Sequence, residues 1–169
     1  MELSTRELWA LIHGLLLGGL FLVAFAGGLA GLYSLKPELV TEAGVRERMR
    51  RLTIGFTTMA GVAWLTVVTG TWIVYPWYRE DIPDSPRSLL LADPDNAEWH
   101  HFAMEWKEHV AWIAPMLATV AAFIVLYYRS DLLKNRTARL LAISLFVAAF
   151  AIAAVAGILG ALITKNESV

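Results

Sequence analysis

Four uninterrupted apolar runs constrain this chain more than anything else in it. Leu8–Leu35, Leu52–Tyr78, Val110–Tyr128 and Leu140–Thr164 contain no Lys, Arg, Asp or Glu. A helix of about 20 apolar residues crosses a hydrocarbon layer of roughly 30 Å, and each run is near or above that length. Inside lipid only helices and closed barrels satisfy every backbone N–H and C=O, and uninterrupted runs this long specify helices. The expected fold is all-α: a bundle of four transmembrane helices at about residues 4–34, 52–77, 96–129 and 137–165. One longer loop joins helices two and three, and the whole of 1–169 reads as a single membrane domain.

Composition agrees, because a soluble fold with 57% hydrophobic and 17% charged residues would expose much apolar surface. The chain has no cysteine, which excludes disulfides, thiolate metal sites and covalent c-type haem attachment. The first run is far too long for the core of a signal peptide and is read as a retained helix.

Charge sets the expected orientation. The connections Ser34–Arg51 and Arg129–Arg139 hold nine bases (Lys36, Arg46, Arg48, Arg50, Arg51, Arg129, Lys134, Arg136 and Arg139). The two tails and the loop Trp77–Glu108 hold five bases and eleven acids. The positive-inside rule then places both termini and the 77–108 loop outside a bacterial cytoplasmic membrane. The bases are split between short connections, so nothing suggests a nucleic-acid footprint.

Small residues recur at helix-packing spacing. Gly14 and Gly18, like Gly27 and Gly31, lie four apart, and the fourth run offers Ala149, Ala153, Ala156, Gly157 and Gly160. The plain expectation is close packing of helices one and four. Gly14 and Gly18, beside His13, could instead leave room for a flat macrocycle. Pro115 is expected to kink helix three. Asp95 and Glu98 read as a capping-box start for that helix, and Leu89, Leu90 and Leu91 as residues dipping toward the bilayer.

All four histidines fall at one end of the bundle. His13 lies about 9 Å of helical rise below the outer surface, where an ionisable group is a functional hypothesis by default. His101, Glu105 and His109 follow at i, i+4 and i+8 as one stripe, a pattern that can hold copper or zinc with Met104 nearby. His100, about 100° from His101 on the helix, reads as a solvated interface residue. His13 and His109 each sit near the outer start of a helix, so imidazoles from two helices could grip one iron. Thr66 and Thr69 lie at a depth to bond the far nitrogen of such a ligand. Arg79 and Lys107 could pair with outward propionates.

In outline the chain resembles the small four-helix membrane b-type cytochromes. That resemblance implies one haem b between His13 and His109 toward the outer face, exchanging electrons with a periplasmic cytochrome c or a quinone. Two alternatives stand beside it. One is a non-catalytic accessory subunit of a larger respiratory or photosynthetic complex, with a chlorophyll-type pigment or no cofactor. The other is the copper or zinc site. No nucleophile–base pair or intramembrane carboxylate suggests a stand-alone enzyme, and the lipid bilayer is the one partner expected in every case.

Overall fold

The computed structural model describes residues 3–35 and 41–166, which form helices and turns without a strand. Four helices are long and apolar enough to cross a membrane: α1 (Thr5–Tyr33), α2 (Gly44–Tyr78), α4 (Trp99–Leu133) and α5 (Arg136–Asn166). A short helix, α3 (Pro86–Ala92), lies in the connection between α2 and α4. The protein is a multi-pass helical membrane bundle. The start of α1, the end of α5 and the α2–α4 connection lie at one end, called here the terminal end; the arginines at the start of α2 and between α4 and α5 mark the other, basic end. Lys36, counted above among the bases, lies outside the described residues.

Local chemistry sets the helix starts. Ser4 and Glu7 form a reciprocal box: the Ser4 hydroxyl accepts from the Glu7 N–H (3.2 Å) and the Glu7 carboxylate from the Ser4 N–H (2.8 Å). Thr41 accepts from the Gly44 N–H and Asn135 from the Ala138 N–H, capping α2 and α5.

Two expected boundaries move. The second helix begins at Glu42, ten residues before the expected 52, because Arg46–Arg51 forms helical turns that continue into the membrane stretch. Loss of charge marks where lipid starts, not where a helix does. The box expected at Asp95 is replaced by a turn around Asp93, whose carboxylate accepts from the Asp95 N–H (3.0 Å) and the Asn96 amide (2.7 Å). α4 is interrupted at Ala111–Trp112, one turn before Pro115, where the missing N–H leaves a gap in the ladder.

Sequential helices pack side by side, α1 on α2, α2 on α4 and α4 on α5, which leaves α1 and α4 diagonal across the bundle. Toward the basic end the core is dry. Phe25, Phe56, Phe146 and Phe150 stack with centroids as close as 3.9 Å. Gly28 supports this stack, since a Cβ there would lie 2.7 Å from the Phe146 ring. Close backbone approach is therefore between α1 and α2, at Gly28 and Gly55, while phenylalanine rings separate α1 from α5. The expected glycine seam between the first and last helices does not form. Gly14, Gly18, Gly27 and Gly157 meet no neighbouring atom within 4 Å of a built Cβ.

Toward the terminal end a second, smaller core closes the bundle. Tyr78, Leu90, Ala103, Met104 and Ile163 are buried together. Leu90 belongs to α3, which starts on the Ser85 cap with Pro86 in its first turn. Of the three leucines expected at the bilayer surface, Leu90 is fully buried as part of this lid.

Candidate functional site

Between the two apolar cores runs a polar layer. On each helix it falls where one core has ended and the next has not begun: His13 beyond Leu17 on α1, Thr66 to Gly70 between Ala63 and Tyr78 on α2, Lys107 between Ala118 and Met104 on α4, and Gly160 between Ala149 and Ile163 on α5. Three π-helical turns lie at or beside this level: Leu11–Leu16, Gly70–Val74 and Trp99–Met104. Single π turns within α-helices occur often at functional sites, because the widened turn redirects side chains. Here His13 sits in the first, Gly70 opens the second, and His100 and His101 sit in the third.

His13 is the best-defined member. Its Nδ1 is 3.1 Å from the Thr69 hydroxyl, and the Thr66 carbonyl faces the same ring. The Thr69 hydroxyl lies within hydrogen-bond reach of the Leu65 carbonyl (2.8 Å) and the Thr66 carbonyl (3.1 Å) of its own helix as well as of His13 Nδ1. When its one proton goes to the helix it accepts from Nδ1–H, and the neutral ring then keeps its lone pair on Nε2. No side chain hydrogen-bonds Nε2 among the described residues. The ring edge rests on Gly70, where a Cβ would come within 2.9 Å of Cε1. A glycine notch on α2 thus seats the imidazole, and a threonine hydroxyl orients it at Nδ1.

Across the bundle the facing residue is Lys107. Its Nζ occupies a second glycine notch, 2.7 Å from a Cβ built at Gly160, and its charge acts on the His13 ring. Lys107 Nζ has no hydrogen bond or ion pair among the described residues. Its neighbour Glu108 approaches Arg79 at 3.8 Å, while the other carboxylate oxygen is buried without a partner. Arg79 also bonds the Tyr75 hydroxyl and lies over that ring, so it is engaged within the protein.

His109 goes elsewhere. The inward seam of α4 is His100, Met104, Lys107, Ala111, Ala114, Ala118, Ala121 and Val125, stepping by four and three. His109 belongs to the opposite stripe with Phe102, Ile113, Met116, Val120 and Phe123, all exposed outside the bundle. Its side chain is 73% exposed, and its Nδ1–H donates to the Glu105 carbonyl (2.8 Å). The structure therefore does not bring His13 and His109 to a common point. The reason is azimuth: two residues separate His109 from Lys107, a turn of about 200°.

His101, Glu105 and His109 do not assemble a metal-binding set, and no three His, Asp or Glu side chains do so among the described residues. The π turn at Trp99–Met104 shifts His101 out of the regular i, i+4 stripe, and its ring turns toward His100 at 5.5 Å. His100, expected to be solvated, is 5% exposed and bonds the buried Tyr78 hydroxyl through Nδ1 (2.9 Å). Of the residues expected around a cofactor, His13, Thr66, Thr69 and Lys107 share the layer; Gly14 and Gly18 face open space and Arg79 lies at its rim.

Compared with protein-family models, curated proteins and solved structures, the chain matches none, so its function is read from this geometry.

Proposed function

We propose that the protein is an integral-membrane electron-transfer component acting at the outer side of a bacterial cytoplasmic membrane, with a b-type haem held by His13. One observation carries the reading: an imidazole inside a membrane bundle is held at Nδ1 by the Thr69 hydroxyl, 3.1 Å away, with no side chain bonded to Nε2 among the described residues. Metal-bound histidines are oriented in just this way by a partner on the other ring nitrogen. Lys107 is the cation placed to meet a propionate. His109 is not part of the site within one chain, so His13 is the single intramolecular imidazole. A haem there would supply one-electron redox chemistry in a layer bounded by two apolar cores.

The visible spectrum of the purified protein tests this. Soret and α bands should appear in the reduced-minus-oxidised difference, vanish in His13→Ala and survive in His109→Ala. A colourless wild-type protein ends the haem reading.

The unpaired Lys107 ammonium favours a second reading. Ionisable groups inside membranes are costly and mark ligand or ion sites, and an ammonium donor beside an imidazole suits the carbonyl oxygens of a quinone. In that case the protein serves as an accessory subunit around a quinone head. A colourless preparation that carries quinone, and loses it in Lys107→Met, supports this alternative. A larger complex or a c-type cytochrome recovered with the protein would name the partner.

A further inference from the structure

The basic end carries a groove that the polar layer does not explain. About 430 Å³ in volume, it lies between the start of α2 and the end of α4. Its rim is Arg46, Arg50 and Arg129; its floor is apolar, with Met49, Ile54 and Leu126. None of the three guanidinium groups has a carboxylate partner among the described residues, although Arg51 nearby takes Glu47 at 2.8 Å. Arg46 and Arg50 are four apart and so lie on one face of α2.

Arg129 adds an independent observation. Its φ of 45° makes it the one non-glycine residue with positive φ among those described. An L residue with a long side chain is strained there, and such outliers persist where the surrounding structure holds them, often at ligand sites. The α-helical part of α4 stops at Tyr128, before a 3-10 turn at Arg129–Leu133, and a glycine could have made that corner at no such cost. The arginine there instead adds a third cation to the groove lining, its Nε–H reaching the Leu126 carbonyl at 3.4 Å.

We propose that this groove is a binding site for one anionic phospholipid, whose phosphate lies among Arg46, Arg50 and Arg129 and whose acyl chains lie along Met49, Ile54 and Leu126. Two features select a lipid over a soluble anion. The basic rim stands at the edge of the apolar stretch of both helices, where headgroups lie, and the floor continues into the hydrocarbon-facing surface. Basic pockets between helix ends are known to hold acidic headgroups by charge and position together.

Native mass spectrometry after exchange into phosphatidylglycerol or phosphatidylcholine tests the site, with melting temperature as a second readout. The wild type should retain one phosphatidylglycerol and melt higher with it. The R46Q/R50Q/R129Q variant should bind roughly tenfold or more weakly, as should the milder R46Q to a lesser degree. K134Q/R136Q, changed at the same end outside the groove, should bind like the wild type. Equal retention of phosphatidylcholine, unaltered binding by the triple variant, or the same thermal shift from inorganic phosphate alone would each overturn the proposal.

Discussion

The two halves of this bundle solve the same packing problem in opposite ways. Toward the basic end, glycines admit phenylalanine rings: Gly28 lies under Phe146 and Phe56, and the space is filled by apolar atoms alone. Toward the termini, glycines admit polar groups: Gly70 receives the His13 ring and Gly160 the Lys107 ammonium. The first arrangement gains packing without leaving any donor or acceptor unmet. The second leaves Lys107 Nζ without a hydrogen bond or ion pair and a buried Glu108 oxygen without a partner among the described residues, the kind of ionisable group that marks ligand or ion sites in membrane helices. The same small residue therefore serves rigidity in one half and access to reactive atoms in the other. Spacing alone does not reveal which.

Substitutions that act on one half and spare the other sharpen this contrast. The largest effect is expected for Phe146→Ala, which empties the centre of the ring stack and should lower stability by roughly 3–5 kcal/mol, read by thermal or denaturant unfolding in detergent. Lys107→Met keeps the side-chain stem and removes the lone cation. It should raise stability by about 1–4 kcal/mol, as replacement of buried ionic groups by apolar ones of similar size often does, while abolishing whatever the layer binds. A fall in melting temperature would mean that Lys107 is structurally satisfied and that the halves differ less than argued here. Thr69→Val removes the hydroxyl that hydrogen-bonds His13 Nδ1 at nearly constant volume and should cost about 0.5–1.5 kcal/mol. It should also change the ligand spectrum more than a Thr57→Val control, whose hydroxyl bonds only its own helix. Smallest of all, His109→Ala should leave the melting temperature unchanged, since the ring projects outside the bundle.

The sequence carried the four helices well, because absence of charge over some 20 residues has one physical meaning in a chain this apolar. It also carried the level of His13 along the bundle, on α1 beyond Leu17 where the phenylalanine core has ended. Direction was harder. The inward face of α4 was readable by extending the alanine seam outward from Ala121 through Ala118, Ala114 and Ala111, which lands on Lys107 and passes by His109. Choosing histidine by residue type overlooked that geometry. The burial of His100 had no local signal, because its hydrogen-bond partner is the buried Tyr78 on α2, 22 residues away. The orientation of Gly14 and Gly18 was likewise undecidable from a four-residue spacing, which fixes a stripe but not what it meets.

The widened turn at Gly70–Val74 has an implication for how this end could be altered. Such a turn holds one residue more than the regular ladder needs, so the helix beyond it is out of phase with the helix before it. Deleting a single residue there would restore ordinary winding and rotate Tyr75 and Tyr78 by about 100°. Tyr78 would leave His100, Arg79 would leave Glu108, and the lid would lose its seat while the core toward the basic end stayed intact.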